Sequence, residues 1–379
     1  MAKAQLVLMV GTRKGAWVFR ADSARKKWKI SAPIIFGNVV QHLVLDPRDH
    51  RTMLMGASAG HLGHTVYRST DGGKSWKEAK TPPRFEKSAD GKGETVKNVF
   101  WITPGHASQP KRWYAGCAPH SLWRTDDGGE TWSGVDGFNK HPKRDTWAPN
   151  RSDPNQSPPD NPNTHSIIVD PRDPKHLYIG FSSGGIFESS DEGRDWKPLN
   201  RGVAADFLPT KDAEFGHDPH CVRMAPSNPD RLYHQNHCGS YRIDRPSDTW
   251  TRIGNNMPKE IGDIGFPMTI HPRNADVAWV FPMDGTSVWP RTSVGGKPAA
   301  YVTRDAGKSW KRLDKGFPRA NAWWTVKRQA MCHDGGEPLG LYVGTTQGEI
   351  WRSRDEGKSW ALLARDLPHV YSLECGTLA

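Results

Sequence analysis

Long apolar runs are missing from this chain of 379 residues, the longest near the start being Leu6–Val10. A membrane-spanning helix needs about 20 apolar residues and a secretory leader an apolar core of about 7–15. The sequence therefore predicts no membrane segment and a cytoplasmic protein. Cysteine is scarce too. Cys117, Cys221, Cys238, Cys332 and Cys375 are odd in number and include no CxxC pair, which argues against a disulfide framework or a Cys-rich zinc module and for a reducing compartment. Nor is there a block of like charge. Lys and Arg total 52 against 41 acids, a net charge of +11, yet the basic residues fall in short runs (Arg25–Lys27, Lys143–Arg144, Lys327–Arg328) and otherwise alternate with acids in turns. That spacing is the mark of a solvated surface and not of a nucleic-acid-binding stripe. An anionic small-molecule substrate fits the same net charge.

Hydrophobic residues make up only 35%, with mean hydropathy −0.72. Disorder is nevertheless excluded by 17 Trp, 12 Phe and 8 Tyr, and 38 Gly with 30 Pro indicate a turn-rich fold. An octapeptide recurs five times: STDGGKSW (69–76), TDDGGETW (125–132), SSDEGRDW (189–196), TRDAGKSW (303–310) and SRDEGKSW (353–360). Degenerate copies end at Trp28 and Trp250, so seven units follow one another at intervals of 48 to 64 residues. The Asp can accept turn N–H groups, the Gly can adopt φ > 0, and the Trp opens the next strand. Short β-type runs precede each turn, among them Thr65–Arg68, Leu177–Phe181 and Gly185–Glu188. Four short strands per unit of this length predict a β-propeller. The first unit opens on Leu6–Val10, a second strand, whereas 369–374 (HVYSLE) resembles the inner strands. The expectation is one all-β domain over 1–379, a seven-bladed propeller of four-stranded antiparallel blades, with 369–374 completing the first blade.

The octapeptide resembles the Asp-box (bacterial neuraminidase) repeat of sialidases, related glycoside hydrolases, photosystem assembly factors and sorting receptors. The resemblance implies the propeller fold and a structural role for Asp71, Asp127, Asp191, Asp305 and Asp355 at the blade periphery. It does not extend to a true sialidase. That activity would imply an arginine triad, an Arg-Ile-Pro motif and a Tyr nucleophile with its Glu, and no Arg-Ile-Pro occurs in the chain.

A functional pocket is expected at the mouth of the channel, where loops entering the inner strands meet those joining second to third strands. Aligning the inner strands on their Asp-Pro-like ends places Gln41, Asn98, His165, His220, Phe266 and His369 there, with the seventh position near Lys327 or Arg328. Three imidazoles on separate strands suit a transition metal, so His165, His220 and His369 are the candidate ligands of zinc, iron or copper. The segment 214–220 (EFGHDPH) offers Glu214, His217 and Asp218 as catalytic proton carriers. His120, His237, Trp147, Trp289 and Arg291 are candidate substrate contacts, the last two and Trp147 on loops longer than a hairpin needs. These expectations favour a metal-dependent enzyme acting on a small, possibly anionic substrate by hydrolysis, elimination or oxidation. The alternatives are a carboxylate-dependent glycoside hydrolase of sialidase-like architecture and a non-catalytic assembly scaffold.

Overall fold

The computed structural model describes residues 4–58, 63–86, 93–147, 163–286 and 290–379. Its strands form seven four-stranded antiparallel sheets, the blades of an all-β, seven-bladed β-propeller. Blade 1 runs Val370–Leu378, Gln5–Thr12, Gly15–Ala21, Trp28–Ile30 from one edge to the other, so the last strand of the chain does complete the first blade. It ends four residues beyond the predicted 369–374. The other blades begin with Val39–Leu45, Asn98–Pro104, Thr164–Val169, Pro219–Ala225, Gly265–Ile270 and Met331–His333 as inner strands. The chain divides into two compact units, Met1–Leu199 with Gly376–Ala379, and Asn200–Cys375.

The octapeptides fold as expected. Ser69 Oγ donates to Asp71 Oδ1 (2.7 Å), whose carboxylate also accepts Lys74 N–H, Ser75 N–H (both 3.0 Å) and Ser75 Oγ–H (2.6 Å). The same bonds recur at Asp127, with Thr125 and Thr131 in the Ser positions. Gly73, Gly129, Gly193, Gly307 and Gly357 all have φ between +82° and +93°, a region closed to most side chains. The Trp that follows packs between sheets; Trp132, Trp196 and Trp360 are buried.

Each unit has its core between adjacent blades. In the first unit, Leu54 and Val66 of blade 2 pack on Val99, Ile102, Trp113 and Trp123 of blade 3. In the second, Trp279, Phe281 and Val302 of blade 6 pack on Leu341, Val343 and Trp351 of blade 7. Where the second strand of one blade crosses the inner strand of the next, a side chain does not fit. A Cβ on Gly116 would lie 2.2 Å from the Thr164 carbonyl oxygen, and one on Gly56 would lie 2.5 Å from that of Val99.

One irregularity positions the side chains that matter. Five inner strands break register near their start: between Val40 and His42, Val99 and Trp101, His165 and Ile168, Pro219 and Cys221, and Gly265 and Met268. A β-bulge adds a residue to one strand and re-aims its side chain. His220 and Phe266 both sit at such breaks.

Candidate functional site

Blade 5 brings three of the expected residues together. Asp218 precedes the inner strand, His220 is its bulged second residue, and His237 lies in the turn between Asn228–Asn236 and Gly239–Asp244. That turn is tied to the strand entrance by His237 N–H, which donates to the Asp218 carbonyl (3.0 Å), and is closed on itself by Cys238 N–H, which donates to Asn236 Oδ1 (2.8 Å). Asp218 Oδ2 then lies 3.4 Å from His220 Nε2 and 3.6 Å from His237 Nδ1. Ligand-type atoms of these three residues all fall within 4.8 Å of one another, a group that could hold a hydroxyl or a cation.

Protonation follows from the partners. His220 is fully buried and its Nδ1 lies 2.7 Å from the Gly265 carbonyl; because a carbonyl only accepts, Nδ1 carries the proton. Burial lowers the His220 pKa, outweighing the carboxylate beside it, so the ring is neutral at pH 7 and Nε2 turns a lone pair toward Asp218. Burial would raise the Asp218 pKa, but the His237 imidazole and the Arg328 guanidinium beside it hold its carboxyl well below the usual range. Two proton acceptors therefore face each other. With both pKa values lowered the pair rests unprotonated at pH 7, which leaves the Asp218 carboxylate able to accept a proton from a bound water. His220 is the deep partner, while Asp218 and His237 keep 20% and 29% of their side-chain surface exposed.

The walls are aromatic and basic. Phe266 stands 4.7 Å from the His220 ring, with Lys327 Nζ and Arg328 Cζ 5.7 and 5.5 Å from its own centroid. Phe207, 45% exposed, meets the His237 ring edge-on at 5.3 Å. Phe207 lies in the loop entering blade 5, and no motif or spacing in the sequence marks it. Lys327 and Arg328 align poorly because the blade 7 inner strand is only Met331–His333 and the residues before it are irregular.

Other candidates lie elsewhere. His217 is buried, donates Nε2–H to the Ala213 carbonyl (2.8 Å), and burial lowers its pKa. Glu214 is exposed and its backbone carbonyl accepts from Asn200 Nδ2 (2.9 Å). His369 packs against Tyr371 (4.7 Å). In the first unit, His165 is buried with Nδ1 2.7 Å from Ser166 Oγ. The group around Asp218 includes neither His165 nor His369. His120 and Trp147, expected to touch substrate, are core residues instead: His120 stacks on Phe181 (5.1 Å, 10°), and Trp147 packs on Phe138 and Phe187. Arg291 adopts φ 59° and its carbonyl accepts from Thr325 Oγ1 (2.8 Å). Trp289 lies outside the described residues. Among the described residues no helix is long and apolar enough to cross a membrane.

Fold and repeat together define an Asp-box β-propeller, and the BNR/Asp-box repeat family model matches residues 67–78. Among curated proteins the chain is similar to an oligoxyloglucan-reducing end-specific xyloglucanase of Emericella nidulans, 26% identical over 199 residues that cover 49% of this chain and 23% of that enzyme. It is also similar to a xyloglucanase of a Paenibacillus species, 28% identical over 159 residues, 35% of this chain and 15% of that one. The chain thus spans less than a quarter of the length of these relatives. A solved GH74 xyloglucanase from Xanthomonas campestris shares the fold with a TM-score of 0.64 at 18% identity, over 96% of this chain and 53% of that one. These relatives overturn the expectation of a metal-dependent enzyme. They are xyloglucanases, and glycosidic bonds are ordinarily cleaved by carboxylates.

Proposed function

We propose that the chain is a glycoside hydrolase with its centre at Asp218. In this reading Asp218 accepts a proton from the attacking water, and His220 shares that proton through Nε2. His237, the more exposed imidazole, is placed to hand a proton to the departing sugar oxygen, and Phe207 offers an apolar face for the ring. The observation that carries the reading is the ionised Asp218 carboxylate set against the lone pair of His220, 3.4 Å apart at an aromatic-walled opening. Similarity to xyloglucanases over 49% and 35% of the chain supports glycan hydrolysis in particular. The test is release of reducing ends from xyloglucan and from a panel of neutral and acidic oligosaccharides, with wild type beside Asp218→Asn. Removing a general base typically lowers kcat by about 10²–10⁴-fold. Full activity in the variant, or no cleavage of any glycan by wild type, overturns the reading.

A further inference from the structure

We propose that Tyr241 is a positioning residue of this site: its hydroxyl ties the loop that carries Phe207 to the turn that carries His237, and so holds the imidazole where it can reach the departing sugar oxygen. The inference rests on the glycosidase reading of Asp218 and adds to it a buried residue outside the group that faces substrate.

Tyr241 lies on the strand Gly239–Asp244, just after that turn, and is fully buried. Its hydroxyl donates to the carbonyl of Cys238 (2.7 Å), the residue after His237, and accepts from Ala204 N–H (3.1 Å) in the loop entering blade 5. A phenol has one proton to give and lone pairs with which to accept, so both bonds form at once. Burial pushes the Tyr241 pKa up to about 12, and the hydroxyl keeps the proton it donates. A phenylalanine would fill the same space. What the hydroxyl adds is the link between the two segments.

Both ends of the link lead to the site. Ala204 lies between the buried Val203 and Ala205, three residues before Phe207, which sits in a turn closed by Leu208 N–H on the Ala205 carbonyl (2.9 Å). At the other end, His237 N–H holds the Asp218 carbonyl (3.0 Å), and the rings of Phe207 and His237 meet edge-on at 5.3 Å. Hydroxyl, loop, the two rings and the turn thus close a circuit. The phenol itself starts from a packed base, since the His234 ring lies 5.7 Å from it and 5.3 Å from Trp250. His237 keeps 29% of its side-chain surface exposed, so its place depends on this backbone tether more than on enclosure. A displacement of about 1 Å at a catalytic group can cost about 10²-fold in rate.

The experiment compares wild type with Tyr241→Phe, and with Tyr233→Phe as a control. Tyr233 is equally buried in the same blade and also donates one hydroxyl bond, to the Ala275 carbonyl (2.6 Å). Rates are measured on the oligosaccharide that wild type cleaves fastest among xyloglucan and the panel above, and on an aryl glycoside of the same sugar whose nitrophenol leaves without needing a proton. In parallel, the His237 ring resonances, identified by their loss in His237→Gln, are followed by NMR with selective histidine labelling. The expected result for Tyr241→Phe is a kcat about tenfold or more lower on the oligosaccharide, little change on the aryl glycoside, and displaced His237 resonances. Tyr233→Phe should leave all three as in wild type. General weakening of the fold would slow both substrates alike. Undiminished kcat, equal loss on both substrates, or unmoved His237 resonances overturns the proposal. If wild type cleaves no glycan, the glycosidase reading falls by itself, and the NMR comparison still decides whether Tyr241 places His237.

Discussion

Asp218 and His220 face each other acceptor to acceptor: Oδ2 lies 3.4 Å from Nε2, while the proton of the ring is on Nδ1, bound to Gly265. Both groups are held below their usual pKa values, so the pair rests unprotonated at pH 7 and the fold favours the ionised carboxylate. Loss of that charge should therefore cost stability and activity together.

Asp218→Asn converts the carboxylate into an amide that can donate to His220 Nε2 and removes a charge from a largely enclosed site. Because the fold holds the carboxyl well below its usual range, its ionised form contributes stability at pH 7.5, and the variant is expected to be less stable by about 2 kcal/mol, the worth of a hydrogen bond to a charged group, while hydrolysis is lost. Urea unfolding at pH 7.5 checks it. A variant more stable than wild type would mean that repulsion between Asp218 and His220 Nε2 outweighs the attraction of the carboxylate to Arg328 and His237.

Gly116→Ala tests how closely the blades approach. The added Cβ would meet the Thr164 carbonyl at 2.2 Å, and backbone cannot yield as a side-chain tip can. Overpacking of this kind costs about 3 kcal/mol or more. The expected outcome is a drop of that size in unfolding free energy, or insoluble protein. Gly37→Ala serves as a control, since nothing lies within 4 Å of a Cβ there and only its φ of +94° opposes the change.

The fold is legible in the sequence because the octapeptide repeats its own chemistry: the Asp, Gly and Trp at 71, 73 and 76 each have one physical task, and the same tasks recur four more times. The closing strand is visible as a spare inner strand and differs only in length. The site is half legible. Asp218, His220 and His237 stand out as part of a polar, His-rich pair of loops, but the metal triad depends on aligning inner strands that are interrupted by β-bulges. An extra residue at such a break changes which way a side chain points, and no residue type announces it. His120 and Trp147 mislead for another reason. The short helix Arg144–Trp147 turns inward, where Arg144 donates from Nη2 to the His120 carbonyl (2.8 Å) and the His120 ring donates back to the Arg144 carbonyl (3.2 Å). Lys327–Arg328 reads in sequence both as a short basic run and as the poorly aligned seventh mouth position, and only the folded chain sets Phe266 between that pair and His220.

The five cysteines should be inert in the folded protein. Cys117, Cys221, Cys238 and Cys332 are buried, and burial pushes the Cys117 and Cys375 thiols well up. Cys332 and Cys375 lie 3.6 Å apart as free thiols. Reaction with an aromatic disulfide reagent at pH 8 is expected to be roughly tenfold or more slower in buffer than in urea, since each unit of raised pKa cuts the thiolate tenfold. Five fast thiols in native buffer would contradict the packing.

Acid should unfold the protein through its buried imidazoles. His120 is fully buried against Phe181, and burial, helped by the charge of Arg144, takes its pKa down to about 3 from 6.5. His333 is lowered to about 4 by burial, and His217 and His234 move the same way. Between the folded and unfolded values the unfolded chain binds more protons, so stability rises with pH and is lost as pH falls from 6.5 toward 3. His176 works in the opposite sense, because its hydrogen bond to Glu188 raises its pKa. For His120 alone the loss between pH 7.5 and pH 5 is about 2 kcal/mol, at 1.36 kcal/mol per unit. His120→Phe keeps the stack but gives up the bond to Arg144, so it should be about 1 kcal/mol less stable at pH 7.5 and lose about 2 kcal/mol less on acidification to pH 5. Urea unfolding of both proteins at the two pH values measures the difference, and an equal acid loss in the two would show that His120 titrates normally in the folded state.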